Sequence, residues 1–298
     1  MGTIRAKLGE GPRWDAAERR LLWVDIEGGL LYAGERHVSC GEKVGCGAPW
    51  DPDTVLAGLE GSVAAVALDT GAVHRLVDLP HRASGMRSND GACDPEGRFW
   101  VGTMAEDLTP GAGALYRYDP DGRLHTVLTE LTLPNGLGWD RDASRMYHID
   151  STTQRIDVLD FDRASGAVSN RRPFATIPEA DGTPDGLALD DEGGVWVALF
   201  GGGEVRRFGP DGSPSGRVAV PADNVTACCF VGSRLFITTA SIDVPPERAH
   251  LQPLAGSLFA LEVPFSGPAA HAFAGPSQTQ HGALGGGADA PAVAPEDA

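Results

Sequence analysis

Short apolar runs recur along the 298-residue chain at a nearly constant spacing. Six of them begin at Leu21 (LLWVDI), Ser62 (SVAAVAL), Arg98 (RFWVGTM), Arg145 (RMYHIDS), Gly194 (GVWVALF) and Arg234 (RLFITTA). Their starts are 36 to 49 residues apart, and most follow a polar turn such as DPEGR or DRDASR. This period is typical of the blades of a β-propeller. The spacing therefore predicts an all-β chain folded as a six-bladed β-propeller.

Further segments between these runs alternate polar and apolar residues, as half-buried strands do; examples are GALYRYDP, QRIDVLDFD, GEVRRFGP and GSLFALEVP. The 40 glycines and 22 prolines punctuate the chain too often for a helical bundle or a βαβ repeat. We therefore predict one propeller domain over residues 1–275. Residues 276–298 are rich in Gly, Ala and Pro and lack apolar periodicity, which predicts a disordered tail.

The charge of the chain is strongly negative. It contains 24 Lys and Arg against 41 Asp and Glu, a formal net charge of −17. A field of this sign repels nucleic acid and anionic membranes, so we expect neither as a partner. It favours cations and neutral substrates, although a solvated acidic surface that maintains solubility explains the same charge.

The cysteines indicate a reducing compartment. Their number is five, and an odd count without a CxxC pair does not suit a fully disulfide-bonded secreted domain. The first residues include no apolar stretch of signal-peptide length, and no run reaches the roughly 18 apolar residues of a membrane span. We therefore expect a cytoplasmic protein. The adjacent Cys228 and Cys229 have apolar neighbours and are expected in a buried strand.

Four acidic or amide residues lie in glycine-containing motifs spread over most of the chain. They are Glu10 in GEGP, Asn89 in RSNDG, Asn135 in LPNGLGW and Asp185 in TPDGLALD. The innermost strands of a propeller line a central channel, so equivalent positions in successive blades meet at one axis. Carboxylate and carbonyl oxygens are the ligands that hard cations take. The set therefore predicts a metal site, although each motif alone is more typical of an ordinary hairpin turn.

The same motifs carry a resemblance to a known family. GEGPRWD, RSNDGACDPEGRFWVGTM, LPNGLGWDRDASRMYHIDS and PDGLALDDEGGVWVALFGGGEVRRFGPDG are similar, in this order, to successive signatures of the senescence marker protein, gluconolactonase and regucalcin family. The resemblance covers nearly the whole predicted propeller. It implies a six-bladed propeller with one divalent cation at the central channel. In many members it also implies a lactonase activity on sugar-derived lactones.

The resemblance implies a metal-binding role for three residues. Glu10, Asn135 and Asp185 match the family's metal-binding glutamate, asparagine and aspartate. We assign proton transfer to Asp185 as a hypothesis, because a ligating carboxylate stays within reach of an activated water. The cation's identity stays open, since this donor set suits Ca²⁺, Mg²⁺ or Mn²⁺ and Zn²⁺ also accepts oxygen ligands.

The resemblance also implies substrate contacts. Arg87 and Asn89 match positions that contact the sugar lactone, with turn capping as the alternative. Asp107 stands where the mammalian regucalcins carry Glu and is the third implied contact; its shorter side chain alters the hydroxyl that it reaches. Asp90 directly follows Asn89 and is expected to hold its own segment through backbone hydrogen bonds.

The leading interpretation is a metal-dependent hydrolase whose partner is a small sugar lactone. A cation lowers the barrier to lactone opening by polarising the carbonyl and activating water. Three other functions stay open: a calcium-binding regulatory protein without catalysis, a propeller hydrolase of aryl esters or organophosphates, and a scaffold for protein partners. An ion binder needs no sugar-facing arginine beside its cation, so Arg87 favours the lactonase. Exposed blade faces permit a monomer or a weak homo-oligomer.

Overall fold

The computed structural model of the protein describes residues 4–80 and 85–277. Five four-stranded antiparallel sheets and one two-stranded sheet contain the described strands. Within each four-stranded sheet the chain passes through the strands in order, from the first to the fourth. Successive meanders of this kind are the blades of a propeller, so the predicted all-β propeller class is confirmed, with five four-stranded blades.

The elements have the following bounds. The first sheet contains β1 (Gly9–Asp15), β2 (Arg20–Asp25), β3 (Leu30–Ala33) and β4 (Arg36–Ser39). The second contains β5 (Val44–Asp51), β6 (Thr54–Leu59), β7 (Ser62–Ala67) and β8 (Val73–Asp78). The third contains β9 (Met86–Cys93), β10 (Phe99–Ala105), β11 (Gly113–Tyr118) and β12 (Leu124–Leu131).

The fourth contains β13 (Pro134–Trp139), β14 (Arg145–Asp150), β15 (Arg155–Asp162) and β16 (Ala167–Thr176). The fifth contains β17 (Thr183–Leu189), β18 (Val195–Phe200), β19 (Glu204–Phe208) and β20 (Pro214–Ala219). The sixth pairs β21 (Val225–Thr239) with β22 (Phe259–Gly267). Short 3₁₀ helices cover Ser151–Thr153, Glu179–Asp181 and Ala249–Leu251.

The first strand of each sheet is the innermost. Each first strand contacts the first strand of the next sheet, and β21 also contacts β1. Thr226 Oγ1 donates a hydrogen bond to the carbonyl oxygen of Gly9 at 2.5 Å, and Leu8 bridges to Ala240, which joins the last sheet to the first. Buried apolar clusters fill the spaces between neighbouring sheets. The first strands therefore surround a common axis.

The predicted apolar runs lie in one strand of each sheet, though not always the same strand. LLWVDI, RFWVGTM, RMYHIDS and GVWVALF lie in the second strands β2, β10, β14 and β18, and RLFITTA lies in the second half of β21. SVAAVAL lies instead in the third strand, β7, because the second strand of that sheet, TVLAGL, is also apolar and is buried throughout. The spacing of apolar runs alone does not show which of two adjacent apolar strands, β6 or β7, is the second strand of the sheet.

A buried aspartate, Asp190, stabilises the turn between the first and second strands of the fifth sheet through hydrogen bonds. Asp190 Oδ1 accepts a hydrogen bond from the Gly194 backbone N–H at 2.8 Å. Its Oδ2 accepts from Trp196 Nε1 at 2.8 Å and from Arg207 Nε at 2.7 Å. Asp94 makes the corresponding contacts in the third sheet. The aspartates in these polar turns therefore hydrogen-bond to the second strand of their sheet and hold it in place.

The segment after β22 crosses to the second and third sheets. Phe273 donates its backbone N–H to Pro49 at 2.7 Å, and its ring packs against Trp50 and Tyr118. Beyond Ser277 the predicted tail lies outside the described residues, so its disorder stays a prediction. Within the described part of the chain, no helix is long and apolar enough to cross a membrane.

We expect Asp190→Ala to lower the free energy of unfolding by about 3–5 kcal/mol, because it removes the buried carboxylate partner of Arg207 and leaves only the exposed Glu192, at 3.8 Å. Chemical denaturation measures this loss. Asp211→Ala is the matched control: Asp211 also caps a turn, through the Ser213 backbone N–H, but is exposed, so we expect a loss below about 1 kcal/mol. Equal effects of the two substitutions would contradict the role given to Asp190.

A second expectation concerns pH. His148 lies in β14, is fully buried, and neither ring nitrogen hydrogen-bonds to a described residue. Burial, aided by the charge of Arg171, lowers the pKa of His148 to about 4. The ordinary pKa in an unfolded chain is about 6.5. Because the unfolded state takes up this proton at higher pH, the stability that His148 contributes is complete above about pH 6.5 and is lost as the pH falls toward 4.

Replacing His148 tests this. We expect the unfolding free energy of His148→Leu to fall less steeply with pH than that of the parent chain, by up to about 1.4 kcal/mol per pH unit in this window. Denaturation at several pH values measures both slopes. Identical slopes between pH 6.5 and 4 would show that His148 does not stay neutral in the folded chain.

Candidate metal and substrate site

The four acidic or amide motifs lie inside the innermost strands β1, β9, β13 and β17, and each coincides with a β-bulge. In every case the innermost strand has one residue more than its partner, within Glu10–Arg13, Ser88–Gly91, Pro134–Leu137 and Pro184–Leu187. A bulge bends the strand and re-aims a side chain. The hairpin-turn alternative is therefore wrong for all four motifs: the glycines belong to bulges within strands.

Two glycines allow the innermost strands to approach closely. A Cβ on Gly45, at a bulge in β5, would lie 2.4 Å from the carbonyl oxygen of Asn89. A Cβ on Gly136 would lie 2.8 Å from the carbonyl oxygen of Asp185. Any other residue at these two positions would push neighbouring strands apart. Because glycine has no side chain, the polar groups of adjacent bulges can come into contact.

Asn89 and Asn135 are in direct contact across two blades. Asn89 Nδ2 donates to Asn135 Oδ1 at 3.0 Å and to the Pro134 carbonyl oxygen at 2.9 Å. Arg87 Nη1 donates to Asn89 Oδ1 at 2.7 Å. Asn135 Nδ2 donates to Ser151 Oγ at 2.9 Å, which leaves Asn135 Oδ1 on the side of Asn89. Ser151 was not predicted, because it meets Asn135 only through the pairing of β13 with β14.

Glu10 and Asp185 are buried carboxylates, and both experience the charge of Asp90. Burial, reinforced by the charge of Asp90, raises the pKa of Glu10 to about 8. Burial, followed by the charges of Glu10 and Asp90, raises the pKa of Asp185 well above its usual range. Glu10 Oε2 accepts the Gly11 backbone N–H at 3.0 Å, whereas Asp185 Oδ1 has no hydrogen-bond partner among the described residues. Burial and neighbouring carboxylates thus both disfavour the charged forms of Glu10 and Asp185.

Asp90 pairs with Arg13 next to this site. Asp90 Oδ1 accepts the Gly91 backbone N–H at 2.7 Å, which confirms the expected local hydrogen bond, and it accepts Arg13 Nη2 at 3.1 Å. Sequence reasoning missed Arg13, because nothing in GEGPRWD indicates a partner 77 residues away. The ion pair holds β1 and β9 together.

Asp107 is not brought together with the other predicted residues. It is exposed, and its Oδ1 accepts hydrogen bonds from the backbone N–H and the hydroxyl of Thr109 at 3.0 and 2.7 Å. These bonds lower the pKa of Asp107. Its role as a substrate contact stays a prediction.

The residues present fit a hard divalent cation. Glu10, Asn135 and Asp185 offer oxygen donors from three different blades, and the unpartnered, buried Oδ1 of Asp185 is an acceptor in need of a positive partner. Across residues 4–80 and 85–277, no group of three or more His, Cys, Asp or Glu side chains is arranged to hold a metal. The candidate set agrees with this, because it contains only two carboxylates and takes its third oxygen from an amide.

Comparison with known proteins places the chain. L-arabinolactonase of Azospirillum brasilense is 37% identical over 286 residues, 92% of this chain and 95% of that protein. Pentonolactonase XacC of Haloferax volcanii is 37% identical over 288 residues, 88% of this chain and 92% of that protein. The crystal structure of a calcium-binding protein, regucalcin, from Agrobacterium tumefaciens superposes with a TM-score of 0.84 at 25% identity, covering 91% of this chain and 95% of that chain. Residues 8–241 match the family described as the SMP-30/Gluconolactonase/LRE-like region. The chain therefore belongs to the SMP-30/gluconolactonase/LRE-like family, as the sequence motifs predicted.

Proposed function

We propose that the protein is a divalent-metal-dependent lactonase that hydrolyses aldonolactones to aldonic acids. The observation that carries the proposal is the placement of Glu10, Asn89, Asn135 and Asp185 at equivalent bulges of four innermost strands. The names of two relatives, L-arabinolactonase and pentonolactonase, support a lactone substrate.

The proposal includes a six-bladed propeller with the site on its axis. Two observations support a sixth blade built from β21 and β22. Thr226 and Thr238, twelve residues apart within β21, are joined by a hydrogen bond between their hydroxyls at 2.9 Å. Gly232, between them, has a φ of +62°, a conformation that favours glycine in a turn. β21 therefore folds back on itself and supplies two of the blade's strands.

Glu10, Asn135 and Asp185 would hold the cation. When bound, a divalent cation at this position supplies Lewis-acid polarisation of the lactone carbonyl and lowers the pKa of water. Its positive charge would also favour the ionised forms of both carboxylates, which burial disfavours.

Arg87 and Asn89 would bind and orient the lactone. Arg87 is buried, and its Nη1 is held by the Ser88 carbonyl oxygen and Asn89 Oδ1 at 2.9 and 2.7 Å. Its planar guanidinium presents fixed donors that suit carbonyl and hydroxyl oxygens. Asp107 would reach a substrate hydroxyl only after releasing Thr109, so in our proposal it acts at the edge of the site.

Asp185 would accept a proton from the attacking water. The water oxygen bonds to the lactone carbonyl carbon, the bond from that carbon to the ring oxygen breaks, and the ring oxygen takes up a proton. The product is a hydroxy acid, which ionises at neutral pH and releases one proton per turnover. In this proposal one carboxylate oxygen of Asp185 faces the cation and the other accepts the proton.

A calcium-binding protein without catalysis is the second candidate. The observation that favours it is the similarity to the Agrobacterium tumefaciens regucalcin, whose structure is described as that of a calcium-binding protein. The same oxygen donors would serve a calcium sensor. Metal binding without turnover of any lactone or ester would establish this alternative.

We also propose a cytoplasmic, monomeric or weakly self-associating protein. All five cysteines are buried and free, as a reducing compartment permits. Burial raises the pKa of the Cys46 thiol, so this cysteine is unreactive in the folded chain. The confirmed burial of Cys228 and Cys229 in β21 gives them a packing role.

Asp185→Asn tests the assignment of the proton acceptor. The amide keeps an oxygen ligand and removes the base, so we expect turnover of a sugar lactone to fall by about 10²–10⁴ while metal binding persists. Proton release followed with a pH indicator measures turnover, and calorimetry measures metal binding. Asp211→Asn, in an exposed turn, is the control and should retain full turnover. Full turnover in Asp185→Asn would refute the assignment.

A substrate panel separates the lactonase from an ester hydrolase of the same fold. We expect Arg87→Met to raise KM for polyhydroxylated lactones by about tenfold or more, because a buried charge-assisted hydrogen bond is worth about 1.5–3 kcal/mol. Phenyl acetate should be a poor substrate of both chains. Preference for the aryl ester over every sugar lactone would replace the proposed substrate class.

A further inference from the structure

Three charged side chains from three successive blades meet at one point. Lys43 Nζ lies 2.9 Å from Glu27 Oε1 and 2.5 Å from Glu106 Oε1. Glu27 follows β2, Lys43 directly precedes β5, and Glu106 directly follows β10. We call these residues the rim triad. Their side chains are 28 to 41% exposed, so they are accessible from solvent although they contact one another.

The backbone places the rim triad at the same end of the channel as the candidate site. Glu106 donates its backbone N–H to the Gly85 carbonyl oxygen at 2.9 Å, two residues from Arg87. Lys43 is two residues from Gly45, whose backbone packs directly against Ser88 and Asn89.

The third member is tied to the strand that carries Glu10. Ile26, next to Glu27, donates its backbone N–H to the Leu8 carbonyl oxygen at 2.9 Å, two residues before Glu10. The electrostatics agree with this placement. Burial lowers the pKa of Arg87, and the charges of Glu27 and Glu106 are among those that oppose the shift. The rim triad therefore borders the guanidinium that we propose as a lactone contact.

The triad has the donors and acceptors that a polyol requires. An ammonium group has three N–H donors, and the two glutamates take two of them, so one donor remains for a ligand hydroxyl. Each carboxylate has a second oxygen that can accept a hydroxyl proton. A sugar hydroxyl both donates and accepts, so the alternation of acid, base and acid matches neighbouring hydroxyls on a ring.

We propose that Lys43, Glu27 and Glu106 bind the hydroxyl groups of the lactone ring and set a preference for polyhydroxylated over unsubstituted lactones. The inference rests on the proposed lactonase function. It adds Lys43, Glu27 and Glu106 to the hydroxyl recognition that we propose for Asp107 at the edge of the site. A surface ion cluster without a ligand is the competing explanation, and such a cluster contributes at most about 1 kcal/mol to stability.

The experiment compares two lactones of equal ring size on the full-length, metal-loaded protein. One is a pentono-1,4-lactone and the other is γ-butyrolactone, which has the same ring without hydroxyls. We expect Lys43→Met to raise KM for the pentonolactone at least about tenfold, as loss of one charge-assisted hydrogen bond predicts. Turnover of γ-butyrolactone should stay within about twofold of the parent. Glu106→Gln should show the same asymmetry.

Lys7→Met is the matched control. Lys7 is the other lysine of the chain and is exposed, so the same substitution there should change neither substrate. An equal loss on both lactones in Lys43→Met would show that Lys43 maintains the site rather than recognising hydroxyls. No change on either lactone would reduce the rim triad to a surface ion cluster. Both results overturn the inference.

Failure of the proposed function is visible separately. If the parent chain opens no lactone, the lactonase proposal fails, and xylitol binding measured by calorimetry then tests the rim triad alone. We expect Lys43→Met to bind xylitol at least about tenfold more weakly than the parent chain. Equal affinity, or no binding by the parent, would overturn the inference.

Discussion

One extra residue in each of several innermost strands is the constraint on which the site depends. A regular strand of a propeller alternates its side chains between the two neighbouring blades and leaves none pointing along the axis. The bulges at Glu10, Asn89, Asn135 and Asp185 break that alternation in four of the innermost strands. The bulge at Gly45 supplies no side chain and instead brings β5 against β9. The polar groups of the candidate site therefore lie at irregularities of the innermost strands.

Burial of charge determines what this arrangement can bind. Glu10, Asp90 and Asp185 contribute three carboxylates, while Arg13 and Arg87 contribute two guanidinium groups. Arg13 is committed to Asp90 at 3.1 Å, and Arg87 donates to Asn89 and to the backbone. The carboxylates of Glu10 and Asp185 therefore have no salt bridge among the described residues, although the charge of Arg87 acts on both, and burial without an ion pair is costly inside a protein. The divalent cation that we propose would offset this cost.

The sequence predicted the all-β propeller class well, because that class depends on local patterns; the metal and substrate roles of the central residues stay predictions. Alternating strands, polar turns and short motifs are readable within ten residues, and they indicated β2, β10, β14 and β18. The position of the motifs was misjudged, since Asn-Gly and Asp-Gly are common in hairpins and a bulge gives no separate signal. Contacts between distant blades were not readable at all. Arg13 with Asp90 and Lys43 with Glu106 are separated by 77 and 63 residues.

The most direct test of the account is a titration of chelator-stripped protein with Mn²⁺, in which lactone turnover and metal binding are followed in one sample. We predict that turnover is absent at first, rises in proportion to bound metal and stops rising at one equivalent per chain. We also predict that Glu10→Gln weakens both binding and turnover. Full turnover by the stripped protein, or binding that Glu10→Gln leaves unchanged, would contradict the claim that the bulges build a catalytic metal site.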